Sequence, residues 1–280
     1  MILSGAASQG LGARLSTALD EELGAVEFDR FPDGEKIVRV PDQVSERAVV
    51  VASTVSDAAH VQVLQLQDAA REAGATEVVT VIPYLGYARQ DQAFDPGEPV
   101  SVRAVARAIS TGTDRVVTVN PHKDAVMEFF DVPTTTVDGA GRLADPLPSL
   151  EDPVFLAPDE NAHSLAASVR DAYGAGAVDH FQKDRDHETG AVRIFPHDTS
   201  VTDRDVVIVD DIVATGATMS EAITHLESPA RVFVACVHPL LAGNAWTRLS
   251  RAGVESVYGT DTIESAVSSV SVAPTIAARL

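Results

Sequence analysis

Short apolar runs rich in β-branched residues recur along the chain, and they alternate with stretches in which apolar residues have helical spacing. Strands that alternate with helices form parallel sheets, because each return to a parallel strand needs a crossover, which is usually a helix. The runs are apolar at successive positions, as is typical of strands buried on both faces. The pattern therefore predicts an α/β fold with mainly parallel sheets flanked by helices. The predicted strands cover 48–52, 78–82, 115–119, 153–157, 206–209, 232–237 and 256–258, and the predicted helices cover 61–73, 100–111, 162–173, 217–227 and 242–251.

The strand–helix units in these 280 residues are too many for one open sheet, so we expect two α/β domains. The stretch 138–152 is rich in Gly, Pro and Asp and is the candidate boundary. We therefore assign the domains to residues 1–142 and 143–280. Residues 183–196 are first charged and then briefly apolar, which predicts an exposed hairpin or flap within the second domain.

The charge balance disfavours some classes of partner. The chain has 21 Lys plus Arg against 41 Asp plus Glu, a net charge of −20, and this field repels polyanions, so we expect no nucleic-acid partner. Its lysines are Lys36, Lys123 and Lys183. An acidic excess with few lysines suits a protein that stays hydrated in concentrated salt, so we expect a halophilic host, although an ordinary acidic cytosolic protein remains an alternative. No run approaches the roughly 18 apolar residues of a membrane span, and no secretory signal pattern begins the chain, so we expect no membrane segment and a cytoplasmic location.

The run 206–218 (VVIVDDIVATGAT) carries the most functional information. An apolar strand ends in Asp210 and Asp211, and a short loop with two Thr hydroxyls then begins a helix. Ligands of open α/β sheets bind beyond the carboxyl ends of the strands. The loop N–H groups and the helix N-terminus can hold a phosphate, while the carboxylates would repel it and bind hydroxyls instead. The pattern therefore indicates a sugar phosphate, although a solvated turn with a helix cap is the simpler alternative. The residues assigned to this ligand are Asp210, Asp211, Ala214, Thr215, Gly216, Ala217 and Thr218.

This run resembles the phosphoribosyl-diphosphate signature of the type I phosphoribosyltransferases and of the ribose-phosphate diphosphokinases. Two segments in the first half resemble the diphosphokinases alone: 31–35 (FPDGE) is similar to their F-x-[ND]-x-E loop, and 83–91 (PYLGYARQD) is similar to their P-x-x-x-Y-A-R-Q-D signature. The resemblance implies two phosphoribosyltransferase-type domains, with ATP bound by the first and ribose 5-phosphate by the second. The residues it assigns to ATP are Phe31, Asp33, Glu35, Arg89, Gln90 and Asp91.

The resemblance also implies a magnesium ion and a pair of catalytic cations. His122 follows a strand in the position of a magnesium-binding histidine, although Asn120 and Pro121 replace the usual residues before it. Asp159 ends the strand 153–157 and is the second implied ligand of Mg²⁺. Lys183 and Arg185 match a K-x-R pair on the flap, which the resemblance assigns to catalysis.

The resemblance therefore implies a Mg²⁺-dependent ribose-phosphate diphosphokinase with ATP and ribose 5-phosphate as substrates, assembled as a homodimer or homohexamer. Two alternatives remain open. A purine or orotate phosphoribosyltransferase would use the loop 214–218 without ATP, and a non-catalytic regulatory paralogue would account for the departures at 120–121 and 160–164. A P-loop kinase is excluded, because the sequence contains no G-x-x-x-x-G-K-[ST].

Overall fold

The structure is a computed structural model that describes residues 1–185, 192–196 and 198–280, with only the backbone described for 183–185 and 192–195. Its residues fall into two compact units. The first comprises Met1–Asp138, Asp261–Glu264 and Ser271–Leu280, and the second comprises Gly139–Thr260 and Ser265–Val270. Both units alternate strands with helices, so the predicted α/β class is confirmed.

In the described residues the strands are β1 (Ile2–Ser4), β2 (Glu27–Arg30), β3 (Lys36–Arg39), β4 (Arg47–Val51), β5 (Glu77–Ile82), β6 (Arg115–Val119), β7 (Thr134–Val137), β8 (Val154–Ala157), β9 (Ala177–Arg185), β10 (Val192–Pro196), β11 (Asp205–Ile212), β12 (Arg231–His238), β13 (Ser256–Thr260) and β14 (Ser268–Val270). The α-helices are α1 (Gln9–Leu19), α2 (Asp57–Glu72), α3 (Ser101–Ser110), α4 (His163–Tyr173), α5 (Ala217–Thr224), α6 (Ala245–Arg251) and α7 (Ala273–Ala277), and single 3-10 turns cover Asp124–Phe129, Ala140–Ala144 and Glu160–Ala162.

The first unit is built on a parallel sheet in the order β1-β4-β5-β6-β7, with β2 and β3 as a separate antiparallel hairpin. Its central strands have no exposed surface on either face: Val49, Val50 and Val51 in β4 are all fully buried. Val50 packs in one cluster with Val63 and Leu66 of α2. Burial on both faces explains why the strands read as continuous apolar runs instead of alternating ones.

The second unit contains a larger sheet in the order β10-β9-β8-β11-β12-β13-β14, which the described residues form with parallel pairing except at β10. Strands β9 and β10 pair antiparallel from Arg185 opposite Val192 to Phe181 opposite Pro196. This is the hairpin predicted for 183–196. Because β9 also pairs with β8, the hairpin extends directly from the sheet that holds the run 206–218.

The end of the chain returns to the first unit. Asp261 accepts hydrogen bonds from the Val272 backbone N–H (2.9 Å) and from Arg14 in α1 (3.0 Å). The Glu264 carboxylate accepts a hydrogen bond from the Leu11 backbone N–H at 2.8 Å. These contacts hold 261–264 and α7 against α1, an arrangement that the sequence pattern does not predict. Within the described ranges, no helix has the length and apolarity that crossing a membrane requires.

Candidate functional site

The loop after β11 has the local geometry of an anion-binding loop. Strand β11 continues through Asp210 and Asp211 to Ile212, and α5 begins at Ala217. Gly216, the residue before α5, has a left-handed backbone with φ of +67°, a conformation that residues with a Cβ adopt only at a cost. A Cβ on Gly216 would also lie 3.2 Å from the Leu249 side chain of α6. The glycine therefore lets the loop turn sharply into α5 while lying directly on α6.

Two backbone hydrogen bonds hold this loop in place. The Leu241 N–H donates to the Val213 carbonyl at 2.9 Å, and the Ala242 N–H donates to the Ala214 carbonyl at 2.8 Å. Both donors lie in the segment that joins β12 to α6. The segment before α6 therefore fixes the backbone at Val213 and Ala214, where the loop begins.

The N–H groups of residues 214–219 make no hydrogen bond within the described part of the chain. The first N–H groups of a helix have no intrahelical acceptor, and together with the helix dipole they favour an anion. Thr215 and Thr218 are both exposed here and add two hydroxyl groups. Backbone donors, hydroxyls and a helix N-terminus are the groups that bind a phosphate monoester.

The two carboxylates before the loop lie in an electrostatically unfavourable position. Burial and the neighbouring charges of Asp211 and Asp159 raise the pKa of Asp210 well above its usual range. One Asp210 oxygen accepts a hydrogen bond from the Asp211 N–H at 2.9 Å, and one Asp211 oxygen accepts from the Ile212 N–H at 2.7 Å. A hydrogen bond between the two side chains also contributes to the raised pKa of Asp210. A phosphate is disfavoured at the carboxylates and favoured at the loop that follows them.

Asp159 follows β8, which pairs directly with β11 in the same sheet. Its Oδ1 atom accepts hydrogen bonds from the N–H groups of Asn161 (2.9 Å) and Ala162 (3.3 Å), so it caps the short 3-10 turn after the strand. The side chain is exposed. In the described ranges no group of three or more His, Cys, Asp or Glu side chains is arranged to hold a metal ion. A metal ion here would therefore need ligands from a substrate in addition to the protein.

In the first unit, residues 83–91, called the 83–91 loop below, begin the connection between β5 and α3. Its Ala88 is buried in the core, while its neighbours Tyr87 and Arg89 are exposed. The Gln90 amide oxygen accepts a hydrogen bond from Ser101 at the start of α3 at 2.6 Å. This contact ties the side chain of Gln90 to the first residue of α3.

Arg89 and Gln90 line a cavity of about 460 Å³, a volume typical of small-molecule sites. Its other wall comes from the connection between β4 and α2 and from the first turn of α2, with Thr54, Asp57 and His60. The sequence motifs do not single out these residues. The pair Ser56–Asp57 before an apolar run does indicate a helix start, but nothing in the pattern places it beside the 83–91 loop.

Asp91 and His122 lie near one another in the first unit. Lys123 donates a hydrogen bond to Asp91 at 2.6 Å. This bond lowers the pKa of Asp91, with a smaller contribution from His122. Asn120 has a left-handed backbone with φ of +34° and donates from its amide to Asp138 at 2.9 Å. Lys123 is a further candidate residue that motif comparison missed, because its contact joins segments 32 residues apart.

The remaining candidate residues occupy two hairpins. Phe31 is 45% exposed in the turn between β2 and β3, and Asp33 and Glu35 lie in the same turn and are also exposed. The Asp33 carboxylate accepts a hydrogen bond from the Glu35 N–H at 3.1 Å, which stabilises the turn. Lys183 and Arg185 belong to β9 by their backbones, and their side chains lie outside the described part of the structure.

Known proteins resemble this chain over its whole length. The family model for the N-terminal domain of ribose phosphate pyrophosphokinase matches residues 1–112, and that for the phosphoribosyl transferase domain matches residues 149–273. The chain is 66% identical to a ribose-phosphate pyrophosphokinase of Halobacterium salinarum, with 100% of both chains covered. It is 45% identical to one of Methanosarcina mazei, covering 100% of this chain and 94% of that protein.

Among solved structures, the phosphoribosylpyrophosphate synthetase from Mycobacterium smegmatis matches with a TM-score of 0.81 and 26% identity, covering 100% of this chain and 96% of that one. Membership of the phosphoribosyltransferases would explain the match over residues 149–273 but not the match over residues 1–112. The full-length similarity and the two domain matches agree with the diphosphokinase features in both halves of the sequence. The chain therefore belongs to the ribose-phosphate pyrophosphokinase family, a family of diphosphate transferases.

Proposed function

We propose that this chain transfers the β,γ-diphosphate of ATP to the 1-hydroxyl of ribose 5-phosphate, giving 5-phosphoribosyl 1-diphosphate and AMP. The observation that carries the proposal is the pair of carboxylates at the end of β11 followed by a loop with unbonded N–H groups. A sugar phosphate satisfies both features, because its phosphate suits the loop and its hydroxyls suit the carboxylates. In this proposal Asp210 and Asp211 bind the 2- and 3-hydroxyls, and residues 214–218 bind the 5-phosphate.

The two domains have separate tasks in this proposal, with ATP on residues 1–142 and ribose 5-phosphate on residues 143–280. Arg89 is an exposed, planar cation that lies beside the cavity and next to aromatic residues. It can therefore stack on the base and neutralise phosphate. Gln90 donates a hydrogen bond to the nucleotide. Phe31 stacks on adenine, and Asp33 and Glu35 contact the edge of the base. Asp91 holds Lys123 near the phosphates.

Mg²⁺ is the proposed cofactor, with His122 and Asp159 as its protein ligands. The donor chemistry in the second domain supports this proposal, because Asp159 offers an exposed carboxylate and its charge acts on the neighbouring Asp210 and Asp211 pair. Magnesium usually keeps several waters and takes its other ligands from substrate phosphates, which suits a site with few protein ligands. When bound, the ion neutralises charge on the transferred diphosphate.

Little covalent chemistry is required of the protein in this reaction. The 1-hydroxyl of the sugar attacks the β-phosphorus in line and AMP leaves, so catalysis consists of positioning the two substrates and stabilising the developing charge. We assign that stabilisation to Lys183 and Arg185 on the β9–β10 hairpin. Two cations on a hairpin can move over the ATP phosphates once both substrates are bound.

The environment of the protein is also part of the proposal. With 41 acidic and 21 basic residues the chain suits concentrated salt, where its self-repulsion is screened. We propose that it acts in the cytoplasm of a halophilic host as a homodimer or homohexamer.

The proposal is tested by incubating the purified protein with ATP, ribose 5-phosphate and Mg²⁺ in concentrated salt and following AMP by chromatography. We expect AMP and 5-phosphoribosyl 1-diphosphate in equal amounts, and only when ribose 5-phosphate is present. Folded protein that forms no AMP would contradict the proposal. Activity with a free base and the activated sugar would then favour a phosphoribosyltransferase, and inactivity with both would favour a regulatory paralogue.

The roles of the two cations are tested by Lys183→Ala/Arg185→Ala, which should lower kcat by about two orders of magnitude or more. The matched control is Arg251→Ala/Arg279→Ala, which also removes two positive charges but from exposed positions outside the proposed site. This control should keep kcat within about twofold of the wild type, the range expected for surface changes. A near-normal kcat in the Lys183→Ala/Arg185→Ala variant would refute the assignment.

A further inference from the structure

In the proposed function, the 83–91 loop has to hold two partly or fully exposed side chains in a definite position. Arg89 is exposed and its side chain makes no hydrogen bond within the described residues, while the partly exposed Gln90 side chain accepts one hydrogen bond, from Ser101. Their positions depend on the backbone of residues 83–88. That backbone is anchored by the segment that joins β4 to α2, in a set of contacts that no part of the proposed function uses.

The inner part of the loop is anchored by Thr54. Its hydroxyl donates to the Tyr84 carbonyl at 3.1 Å and accepts from the Gly86 N–H at 2.8 Å, and its own N–H donates to the Tyr84 carbonyl at 2.9 Å. A Cβ on Gly86 would lie 2.2 Å from the Thr54 carbonyl oxygen. The two segments are thus in direct backbone contact, and the loop cannot shift towards α2.

The outer part of the loop is anchored through Tyr87. This residue has a left-handed backbone with φ of +63°, which a large side chain seldom adopts unless its surroundings hold it there. The Tyr87 hydroxyl donates a hydrogen bond to Asp57, the first residue of α2, at 2.7 Å. The Tyr87 carbonyl accepts from the Gln90 N–H at 2.9 Å. A continuous chain of contacts therefore joins Asp57 through Tyr87 to the backbone of Gln90.

His60 supports the ring of Tyr87 from the next turn of α2. The ring centroids are 5.4 Å apart at an interplanar angle of 40°. Both ring nitrogens of His60 are shielded from solvent and have no hydrogen-bond partner in the described part of the chain. Burial lowers the pKa of His60, so the ring stays neutral at ordinary pH. His60 therefore acts as a packing surface, and the directional contact to Tyr87 comes from Asp57.

We propose that Asp57 is a positioning residue for ATP: by holding the Tyr87 hydroxyl, it fixes the turn that presents Arg89 and Gln90 to the nucleotide. The proposal rests on the assignment of Arg89 and Gln90 to ATP. Asp57 need not touch the nucleotide, because its effect passes through Tyr87 and the Gln90 N–H. Loss of the bond allows the turn to relax, and the nucleotide then has to restore the productive conformation when it binds.

The experiment compares Asp57→Ala, Tyr87→Phe and the double variant by steady-state kinetics with each substrate varied. Each single variant should raise the KM for ATP about three- to tenfold, the range expected when one ordinary hydrogen bond is lost. The KM for ribose 5-phosphate and kcat should stay within about twofold, because the lost contact contributes to ATP binding equally in the ground and transition states. The double variant should raise the KM for ATP no further than the single variant with the larger effect, since both substitutions remove the same bond.

Two further variants separate positioning from a loss of helix stability. Asp57→Asn keeps an oxygen that accepts from Tyr87, so it should restore the KM for ATP to within about twofold of the wild type. The control Tyr173→Phe removes a hydroxyl that donates to the Pro148 carbonyl at 3.1 Å in the second unit. It should leave the ratio of the two KM values unchanged.

Arg89→Ala distinguishes failure of this inference from failure of the proposed function. If Arg89→Ala raises the KM for ATP while Asp57→Ala and Tyr87→Phe do not, the positioning role is wrong and the nucleotide site stands. If Arg89→Ala has no effect on the KM for ATP, the nucleotide assignment itself is wrong and this inference fails with it. Additive effects of Asp57→Ala and Tyr87→Phe would also overturn it, because independent effects cannot come from one shared bond.

Discussion

The carboxylate of Asp210 destabilises the fold at neutral pH, and this leads to a prediction opposite to that for most site residues. Burial and the charges of Asp211 and Asp159 raise its pKa well above the usual range. Replacing Asp210 by Asn removes the charge and keeps the size of the side chain. It also keeps an oxygen that can accept the hydrogen bond from the Asp211 N–H. We therefore expect Asp210→Asn to be more stable than the wild type at pH 7 and to be nearly inactive.

The magnitude and the pH range follow from the same contacts. Two like charges a few ångströms apart cost about 1 kcal/mol in a water-like medium and more where water is partly excluded, so the gain should be about 1 kcal/mol or more. A carboxyl whose folded pKa lies above its unfolded value contributes no penalty below the unfolded pKa, about 3.9 for Asp. The penalty grows as the pH rises and is complete above the folded pKa. The advantage of Asp210→Asn should therefore be largest at neutral pH and disappear below about pH 4.

The measurement is denaturant unfolding of both proteins at several pH values, at one salt concentration and without divalent cations. The chain has one tryptophan, Trp246, which lies on α6 in the second unit and is 53% exposed. Its fluorescence therefore reports on the unit that contains Asp210. Asp203→Asn is a matched control, because Asp203 is an exposed residue of the same unit whose left-handed backbone Asn tolerates.

Three results would refute the reasoning. If Asp210→Asn is no more stable than the wild type at pH 7, the carboxylate does not carry the electrostatic penalty derived from its surroundings. If its advantage stays constant from neutral to acidic pH, the gain does not come from charge. A comparable gain in Asp203→Asn would show that the effect comes from lowering the net charge of −20 and not from the position of Asp210.

Three further predictions concern other parts of the molecule. Gly216→Ala places a Cβ on a residue with φ of +67° and 3.2 Å from Leu249, which costs about 1 kcal/mol or more. We therefore expect the KM for ribose 5-phosphate to rise about fivefold, with little change in the KM for ATP. Equal changes in both KM values would contradict a local effect. Lys123→Ala removes the hydrogen bond that lowers the pKa of Asp91, so this pKa should rise towards the ordinary Asp value of about 3.9. The acid limb of the kcat/KM profile for ATP, measured between about pH 3 and 5, should move upward in pH, and an unmoved limb would remove Asp91 from the nucleotide site. Transfer from molar salt to about 0.1 M salt lengthens the screening distance from about 3 to 10 Å. The acidic residues then repel one another more strongly, so the midpoint of thermal unfolding should fall. A constant midpoint would refute the halophilic assignment.

The sequence predicts the central strands well, because their burial leaves a local signature. The run 206–209 lies inside β11, and the predicted strand 115–119 coincides with β6. Each has a buried and mainly apolar central run, because neither face of these strands is exposed to solvent. The signature is lost where a strand is short: β1 has three residues and β7 is rich in Thr. Neither stands out from its neighbours, and neither was predicted.

Contacts between distant segments are the part that the sequence could not reveal. Motif comparison selected Arg89 and Gln90 but not Asp57, whose hydrogen bond to Tyr87 crosses 30 positions of the chain. The pairing of Lys123 with Asp91 was missed for the same reason. Such contacts depend on which strands are neighbours in the sheet, and the pairing of β4 with β5 and of β5 with β6 is a property of the folded chain.

The distribution of lysine connects the acidity of the chain with its proposed chemistry. A protein with a charge of −20 repels ATP and a sugar phosphate at long range, so binding has to come from short-range donors and a few well-placed cations. The backbone N–H groups of residues 214–218 provide such donors without adding formal charge. The lysines that remain all lie in or beside proposed substrate-binding segments: Lys36 follows the turn 31–35, Lys123 binds Asp91, and Lys183 is on the β9–β10 hairpin. Concentrated salt would weaken the long-range repulsion while leaving these short contacts largely intact, because buried or closely paired charges are screened much less than exposed ones. High salt is therefore compatible with substrate binding, because the ions that screen the acidic surface also weaken its repulsion of the two anionic substrates.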